Sequence, residues 1–351
     1  MRHSASLLAL AATGLLMLAA CQSDAGSPGA DPSPAAETVA SGAAKSRNYT
    51  ATNLGTLVSY SEAHGINAAG TIVGFSDVNA FDLHAVLWER NGIRDLGTLG
   101  GVNSFASAIN ANGEVVGWSG TTEEVLHAFV WRRGVMTDLG TLPNVLASAA
   151  TAINSRGQIV GRSIAVDGEI RGVLWDRGRI IDLGSLGGHQ TEALALNDRG
   201  QVVGWSSNAS GFRHAFLWED GKMTDLGALG GNESLAKGIN DAGTIVGQVT
   251  TQSESFFGFV LSKGTVTRIE PLPGGTYSEA LAINAAGDVV GRSQTASGDE
   301  HAILWKDGQL TDLDAERGGR LSRAFAINAR GQVAGNSFFP NQGIRATLWS
   351  R

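Results

Sequence analysis

The chain has 351 residues, with 26 Lys and Arg against 33 Asp and Glu, and a formal net charge of −7. This acidic balance argues against nucleic acid and anionic lipid headgroups as partners. Its one cysteine, Cys21, leaves no intrachain disulfide to form.

Residues 1–20 read as a bacterial signal peptide. Arg2 supplies a basic start, and Leu7 to Ala20 is an apolar run too short to span a bilayer stably. The run ends Leu18-Ala19-Ala20-Cys21, which resembles the lipobox of bacterial lipoproteins. The resemblance implies cleavage before Cys21 and fatty acylation of its thiol, with palmitate the expected chain and the membrane the partner reached through it. Gln22 rather than Asp follows, which by the lipoprotein sorting pattern implies the outer membrane of a Gram-negative cell envelope. Whether the protein faces the periplasm or the exterior is left open. From Cys21 to residue 48 the composition is Ala, Ser, Gly and Pro with almost no large apolar side chain. Such a stretch cannot repay the entropy of ordering, so 21–48 is expected to be a flexible linker reaching about 30 Å.

Residues 49–351 read as one domain. Without the leader and its Arg2, 25 basic groups face 33 acidic ones, a net charge of −8. The segment Asn-x-x-Gly-x-(Ile/Val)-(Val/Ala)-Gly recurs with its Asn at 67, 110, 154, 197, 240, 284 and 328, spacings of 43 or 44 residues. A period in this range marks a modular array. Each repeat holds four short segments, shown by Ala280–Asn284, Asp288–Ser293, His214–Trp218 and Thr224–Gly227. They are rich in β-branched or aromatic residues and bounded by Gly or Asn turns, which is a strand signature. No convincing 3.6-residue periodicity runs through 49–351. In the Asn-x-x-Gly turn, Asn bonds forward to its own backbone and Gly supplies positive φ. Ala stands four residues before every Asn, as a small residue where repeats wedge together.

The predicted fold is therefore all-β: a seven-bladed β-propeller of four-stranded antiparallel blades. Residues Thr52–Leu57 form a lone fourth-type segment, and the last repeat stops after its third at Trp349. Pairing the N-terminal strand with the C-terminal blade would close the ring and remove an open edge. A monomer is expected.

Four repeats carry a recurring polar set. His84, His127, His214 and His301 open the third segment; Trp88, Trp131, Trp218 and Trp305 follow four residues later. Asp95, Asp138, Asp225 and Asp312 lie seven beyond the Trp, and Ser76, Ser119, Ser206 and Ser293 nine after the anchoring Asn. The set could be a metal site or a Ser-His-Asp triad, or a buried hydrogen-bond network. Its substitutions favour the network. Arg171 replaces His in the third repeat and Arg345 in the last, and a guanidinium is neither metal ligand nor general base. In the fifth repeat all four change together, to Val249, Phe257, Leu261 and Arg268. No catalytic residue, metal site or cofactor is predicted; no His-x-x-x-His, Cys pair, Walker loop or EF-hand loop occurs.

The combination His-Ala-Phe-Leu-Trp with Thr-Asp-Leu-Gly-Thr-Leu-Gly-Gly, after Ala-Ile-Asn-x-x-Gly-x-Val-Val-Gly, resembles the bacterial extracellular HAF repeat family. His127-Ala128-Phe129 and His214-Ala215-Phe216 carry the naming triplet. The resemblance covers nearly all of 52–351 and implies an exported repeat protein, with no catalytic residues to carry over.

Function is expected where the repeats differ, on the loops joining second to third and fourth to first segments. That rim offers Tyr60, Glu62, Phe105, His189, Glu192, Tyr277, Glu279, Arg320 and Arg323 as candidate binding residues. The leading expectation is a membrane-anchored, non-enzymatic binding or scaffold module that contacts a protein or an envelope polysaccharide. The alternative is a polysaccharide hydrolase or lyase using rim carboxylates, Glu192 and Glu62 first. Buried carboxylates with raised pKa would favour the enzyme.

Overall fold

The computed structural model describes residues 38–39, 43–45, 49–253, 255–315 and 319–351. The leader and Cys21, with its expected lipidation, lie outside the described residues. Among the described residues every regular element is a β-strand. The first repeat is a meander of Ser61–Ile66, Ile72–Asp77, Leu83–Glu89 and Gly92–Asp95, here termed inner, second, third and outer strands. The later repeats follow the same antiparallel order; those containing Val145–Ile153 and Gly187–Leu196 are joined by one parallel bridge, Ile170 to Gln190.

The last repeat has three strands of its own, Ser322–Ile327, Val333–Phe339 and Gly343–Ser350. Its outer strand is Thr50–Asn53, antiparallel to Gly343–Ser350 with Thr50 opposite Ser350. This strand starts and stops earlier than the predicted 52–57. The Asn53 side chain explains the stop: its Oδ1 accepts the Gly55 N–H at 2.8 Å and turns the chain away. The expected linker 21–48 is also not strand-free. Thr38–Val39 pairs in parallel with Thr267 and Arg268, and Ala43–Lys45 with Leu310 to Asp312.

The turns close as their residues require. The Asn67 Oδ1 accepts the Thr71 N–H at 3.0 Å, and Gly70 sits at φ 86°. The same side chain has a second duty: its Nδ2 donates to the carbonyl of Asn110 in the next repeat at 3.3 Å. Asn110 does the same to Asn154, Asn154 to Asn197, Asn197 to Asn240, Asn240 to Asn284 and Asn284 to Asn328, at 3.0–3.2 Å. Asn328 donates to the carbonyl of Asn67 at 3.0 Å, so the series returns to its start.

The apolar core follows the same cycle. Each buried cluster spans two consecutive repeats rather than one. Val73, Leu87, Ile109, Phe129 and Trp131 join the first to the second, and Ile66, Trp88, Ala334 and Ala346 join the last to the first. A single meander has no core of its own, so packing free energy comes from neighbour contacts.

A serine six residues before Asn stitches six of these interfaces; in the fourth repeat Thr191 turns instead to Ser206 at 2.9 Å. Ser104 accepts the Ala85 N–H of the previous repeat at 2.8 Å and donates to the Gly97 carbonyl at 2.6 Å. Ser61, Ser148, Ser234, Ser278 and Ser322 also take a backbone N–H from the preceding repeat, and Ser61 takes that of Ala346 at 3.0 Å.

Asn197→Ala should lower stability by about 2 kcal/mol or more, because buried backbone groups lose their partners. Asn197→Asp keeps both acceptor bonds of its own turn but cannot donate to Asn240. A urea midpoint for Asn197→Asp equal to that of the unsubstituted protein would show that the link between repeats contributes nothing.

Candidate functional site

The structure splits the recurring polar set. His84 Nδ1 bonds Asp95 at 2.8 Å, His127 bonds Asp138 at 2.7 Å, His214 bonds Asp225 at 3.0 Å and His301 bonds Asp312 at 2.8 Å. These pairs tie third to outer strands, but the Asp95, Asp138 and Asp225 side chains are 40%, 41% and 43% exposed, so three of the four are surface links. His301 is the buried member; the Asp312 carboxylate holds it above the usual histidine range. The Asp residues also end their strands: Asp95, Asp138 and Asp225 each accept the N–H of the glycine two residues on.

Ser76, Ser119, Ser206 and Ser293 are not in these pairs, contrary to expectation. Each lies opposite its His in the strand register. Its hydroxyl turns instead to the linker entering its own repeat, accepting the N–H of Leu57, Leu99, Leu186 or Leu272 at 2.8–3.0 Å. The tryptophans do not join either. Trp88 and Trp305 Nε1 find no hydrogen-bond partner, and Trp131 packs in a core cluster beneath the Arg94 guanidinium. Trp218 packs against the cluster joining the third and fourth repeats. The set is therefore an His–Asp clasp, a serine clasp and an apolar tryptophan. Its replacements keep the clasp by other means: Arg171 lies 3.6 Å from Asp182, and in the fifth repeat Arg268 stacks 4.0 Å over Phe257.

Variable side chains are gathered by a bulge. In each inner strand the register shifts between the residues four and two before Asn, as at Ala63/Gly65 and Ala280/Ala282. The residue between leaves the ladder, and a bulge re-aims side chains. The second-strand glycine makes room for it: a Cβ on Gly74 would stand 1.9 Å from the Glu62 carbonyl oxygen. The bulged residue three before Asn, and the ladder residue five before it, reach neighbouring repeats. His64 stacks on Phe325 at 4.5 Å and contacts Phe105 at 4.6 Å, and Phe105 lies parallel to Trp118 at 5.8 Å.

Five predicted rim residues fall on this lining: Glu62, Phe105, Glu192, Glu279 and Arg323. Glu62 bonds His64 and the Tyr60 hydroxyl, and Glu192 pairs with Arg162 and accepts the Trp205 indole N–H at 3.2 Å. Glu279 pairs with Lys237 and Arg292; Arg292 reaches Glu300 at 2.7 Å, and Glu300 pairs with Arg323. Tyr277 donates to Glu300 at 2.8 Å. The remaining two stand apart: His189 is exposed and meets Glu169 at 3.1 Å, and Arg320 is exposed on its linker. Sequence reading missed His64, Lys237 and Phe325, because no residue at their own position announces the bulge that groups them.

Two of the lining carboxylates, Glu62 and Glu279, are shifted downward. Burial would push Glu279 up, but Lys237 and Arg292 outweigh it and hold the carboxyl at about 2. Burial also opposes Glu62, and His64 with Tyr60 and Asn336 still keeps it below the usual range. Burial, then Glu300, pushes the Tyr277 hydroxyl up to about 12. Among the described residues no group of three or more His, Cys, Asp or Glu could hold a metal ion.

No protein-family model and no curated protein matches this sequence. Solved structures do. The β-propeller domain of the Trilobed protease from Pyrococcus furiosus is 12% identical, with a TM-score of 0.55 over 83% of this chain and 96% of that one. The acylaminoacyl peptidase of Pyrococcus horikoshii is 13% identical at TM-score 0.53, covering 84% of this chain but 52% of the peptidase. YCF48 bound to D1 peptide is 13% identical at TM-score 0.51, over 88% and 97% of the two chains. At these identities the likeness concerns fold alone, and the fold is of β-propeller type.

Glu279→Gln leaves Lys237 and Arg292 buried without their anion and should cost about 3–5 kcal/mol. The depressed carboxyl contributes stability that is full above its ordinary value of 4.5 and lost as pH falls toward 2. Urea midpoints from pH 6 to 2 should therefore fall more steeply for the unsubstituted protein than for the variant; parallel curves would contradict the assignment.

Proposed function

We propose that this chain is a closed, seven-bladed propeller of the HAF repeat type, anchored by a lipid on Cys21 in the cell envelope, that acts as a binding or scaffold module. Its variable loop face and inner lining contact a protein or an envelope polymer. The observation that carries this reading is the division of polar side chains. Apart from the buried Ser163, the recurrent Asn, Ser, His and Asp are engaged in internal bonds, which leaves the non-recurrent residues of one face for partners. Closure is supported by the returning asparagine series and by the cluster joining last and first repeats. A hydrolase of rim carboxylates would need a general acid that stays protonated near neutrality. Glu62 and Glu279 are displaced in the opposite direction.

Two measurements test this. Cys21→Ser should move the full-length protein from the membrane to the soluble fraction after cell lysis; unchanged membrane retention would remove the lipid anchor. Full-length protein should also retain an envelope component that is lost when Glu123→Gln, Glu124→Gln and Asp299→Asn are combined, and kept by Lys222→Gln on an outer strand. Equal retention by both variants would displace binding from the loop face.

A further inference from the structure

We propose, building on the binding reading above, that one arc of the loop face docks a polypeptide segment bearing both apolar and basic side chains. The arc runs over the seventh, first, second, third and fourth repeats. Among the described residues ten large apolar side chains are exposed, and eight of them lie on this face and in this arc. The most prominent are Phe81 at 91%, Val166 at 71%, Val102 at 62% and Val58 at 56% exposure. Leu146 and Phe212 extend the series to the third and fourth repeats. Single exposed apolar residues are ordinary, but their concentration on one face marks an interaction surface. In the fifth and sixth repeats no described large apolar side chain is exposed. There the lining is occupied by the Lys237, Glu279, Arg292 and Glu300 network.

The tips are held outward by their own loops. Asn79 Oδ1 accepts the N–H of Phe81 at 2.9 Å and of Asp82 at 3.0 Å, while its Nδ2 donates to Asp82 at 2.7 Å. Asn208 Oδ1 accepts the N–H groups of Ser210 and Phe212 at 3.0 and 3.1 Å. Preformed loops reduce the ordering cost of association.

The charges on the arc select the partner. Arg171 and Arg213 are neutralised by Glu169 and Glu233, and Arg345 donates to the Ser59 carbonyl. Asp82, Glu123, Glu124 and Asp167 form no ion pair among the described residues and outnumber the cations without an acidic partner on this arc, Arg345 and Arg320, so the uncompensated charge is negative. Complementarity then calls for cations. Phe81 and Phe212 stand in the first and fourth repeats with the aliphatic tips Val102, Leu146 and Val166 between them, and none of these side chains offers a hydrogen-bond donor to sugar hydroxyls. The acids beside them repel anionic headgroups. A polypeptide satisfies both features.

The test uses the full-length protein and three probes. These are a 15-residue peptide of Leu, Phe and Lys, the same peptide with Glu for Lys, and phosphatidylcholine vesicles. The Lys peptide should bind and the Glu peptide should not. Affinity should fall about tenfold in Phe81→Ser/Val102→Ser/Val166→Ser and in Glu123→Gln/Glu124→Gln/Asp167→Asn, with less salt dependence in the latter. Circular dichroism confirms that both variants fold. Equal binding of the two peptides, vesicle binding in place of peptide, or affinity unchanged in both variants would overturn the proposal. If affinity instead falls only on Ser297→Trp in the sixth repeat, the arc is wrong and the loop-face reading survives. If no loop substitution changes any binding, both fail.

Discussion

The structure depends on one bifunctional side chain. Each anchoring Asn uses its oxygen to shape its own turn and its nitrogen to grip the backbone of the next repeat. A turn residue that also bonds its neighbour couples local geometry to assembly, so a repeat closes correctly only where the next one stands. Since the apolar clusters sit between repeats, burial and this polar link act across the same interfaces. The serine six residues earlier adds a third tie there, joining the previous repeat's third strand to the next inner strand. Strands of four to ten residues are too short to be stable alone. Here they persist because packing and an asparagine secure each interface, with a serine hydroxyl added at all but the third-to-fourth.

Much of this was legible in the sequence because it repeats. The four-stranded antiparallel order, the turn type and the small residue before each Asn follow from local chemistry, and the structure has all three. Partners were less legible. The Asn donor to the next repeat joins residues 43 or 44 positions apart, and spacing alone does not say which atoms face one another. Ser104 and its equivalents recur in six of the seven repeats, yet a hydroxyl on a strand resembles any surface serine until its neighbour is known. The His–Asp pairing was readable because both lie within one hairpin. Trp and Ser were wrongly joined to it: they share its repeat, but Trp points into apolar packing and Ser toward the incoming linker.

The candidate site was half visible. Acids and aromatics five residues before Asn stood out by varying against a constant frame. Their grouping with the bulged residues did not, because a bulge changes direction without a distinctive residue of its own. Its signature is displaced to the second strand, where Gly74, Gly117 and their equivalents accept an approach of the inner-strand carbonyl that no other residue allows. Fixed glycines thus permit free variation opposite them, and the lining can hold His64, Lys237 or Phe325 without a change of scaffold.

The pairing of Thr50–Asn53 with Gly343–Ser350 sets an order of events. On synthesis Thr50–Asn53 emerges nearly 300 residues before its partner Gly343–Ser350. Until Gly343–Ser350 has been made, Thr50–Asn53 has no ladder to join, and the cluster of Ile66, Trp88, Ala334 and Ala346 cannot form. Shorter lengths of chain therefore leave an apolar flank of the first repeat uncovered. Among the pairings between repeats, the joining of these two distant segments comes late.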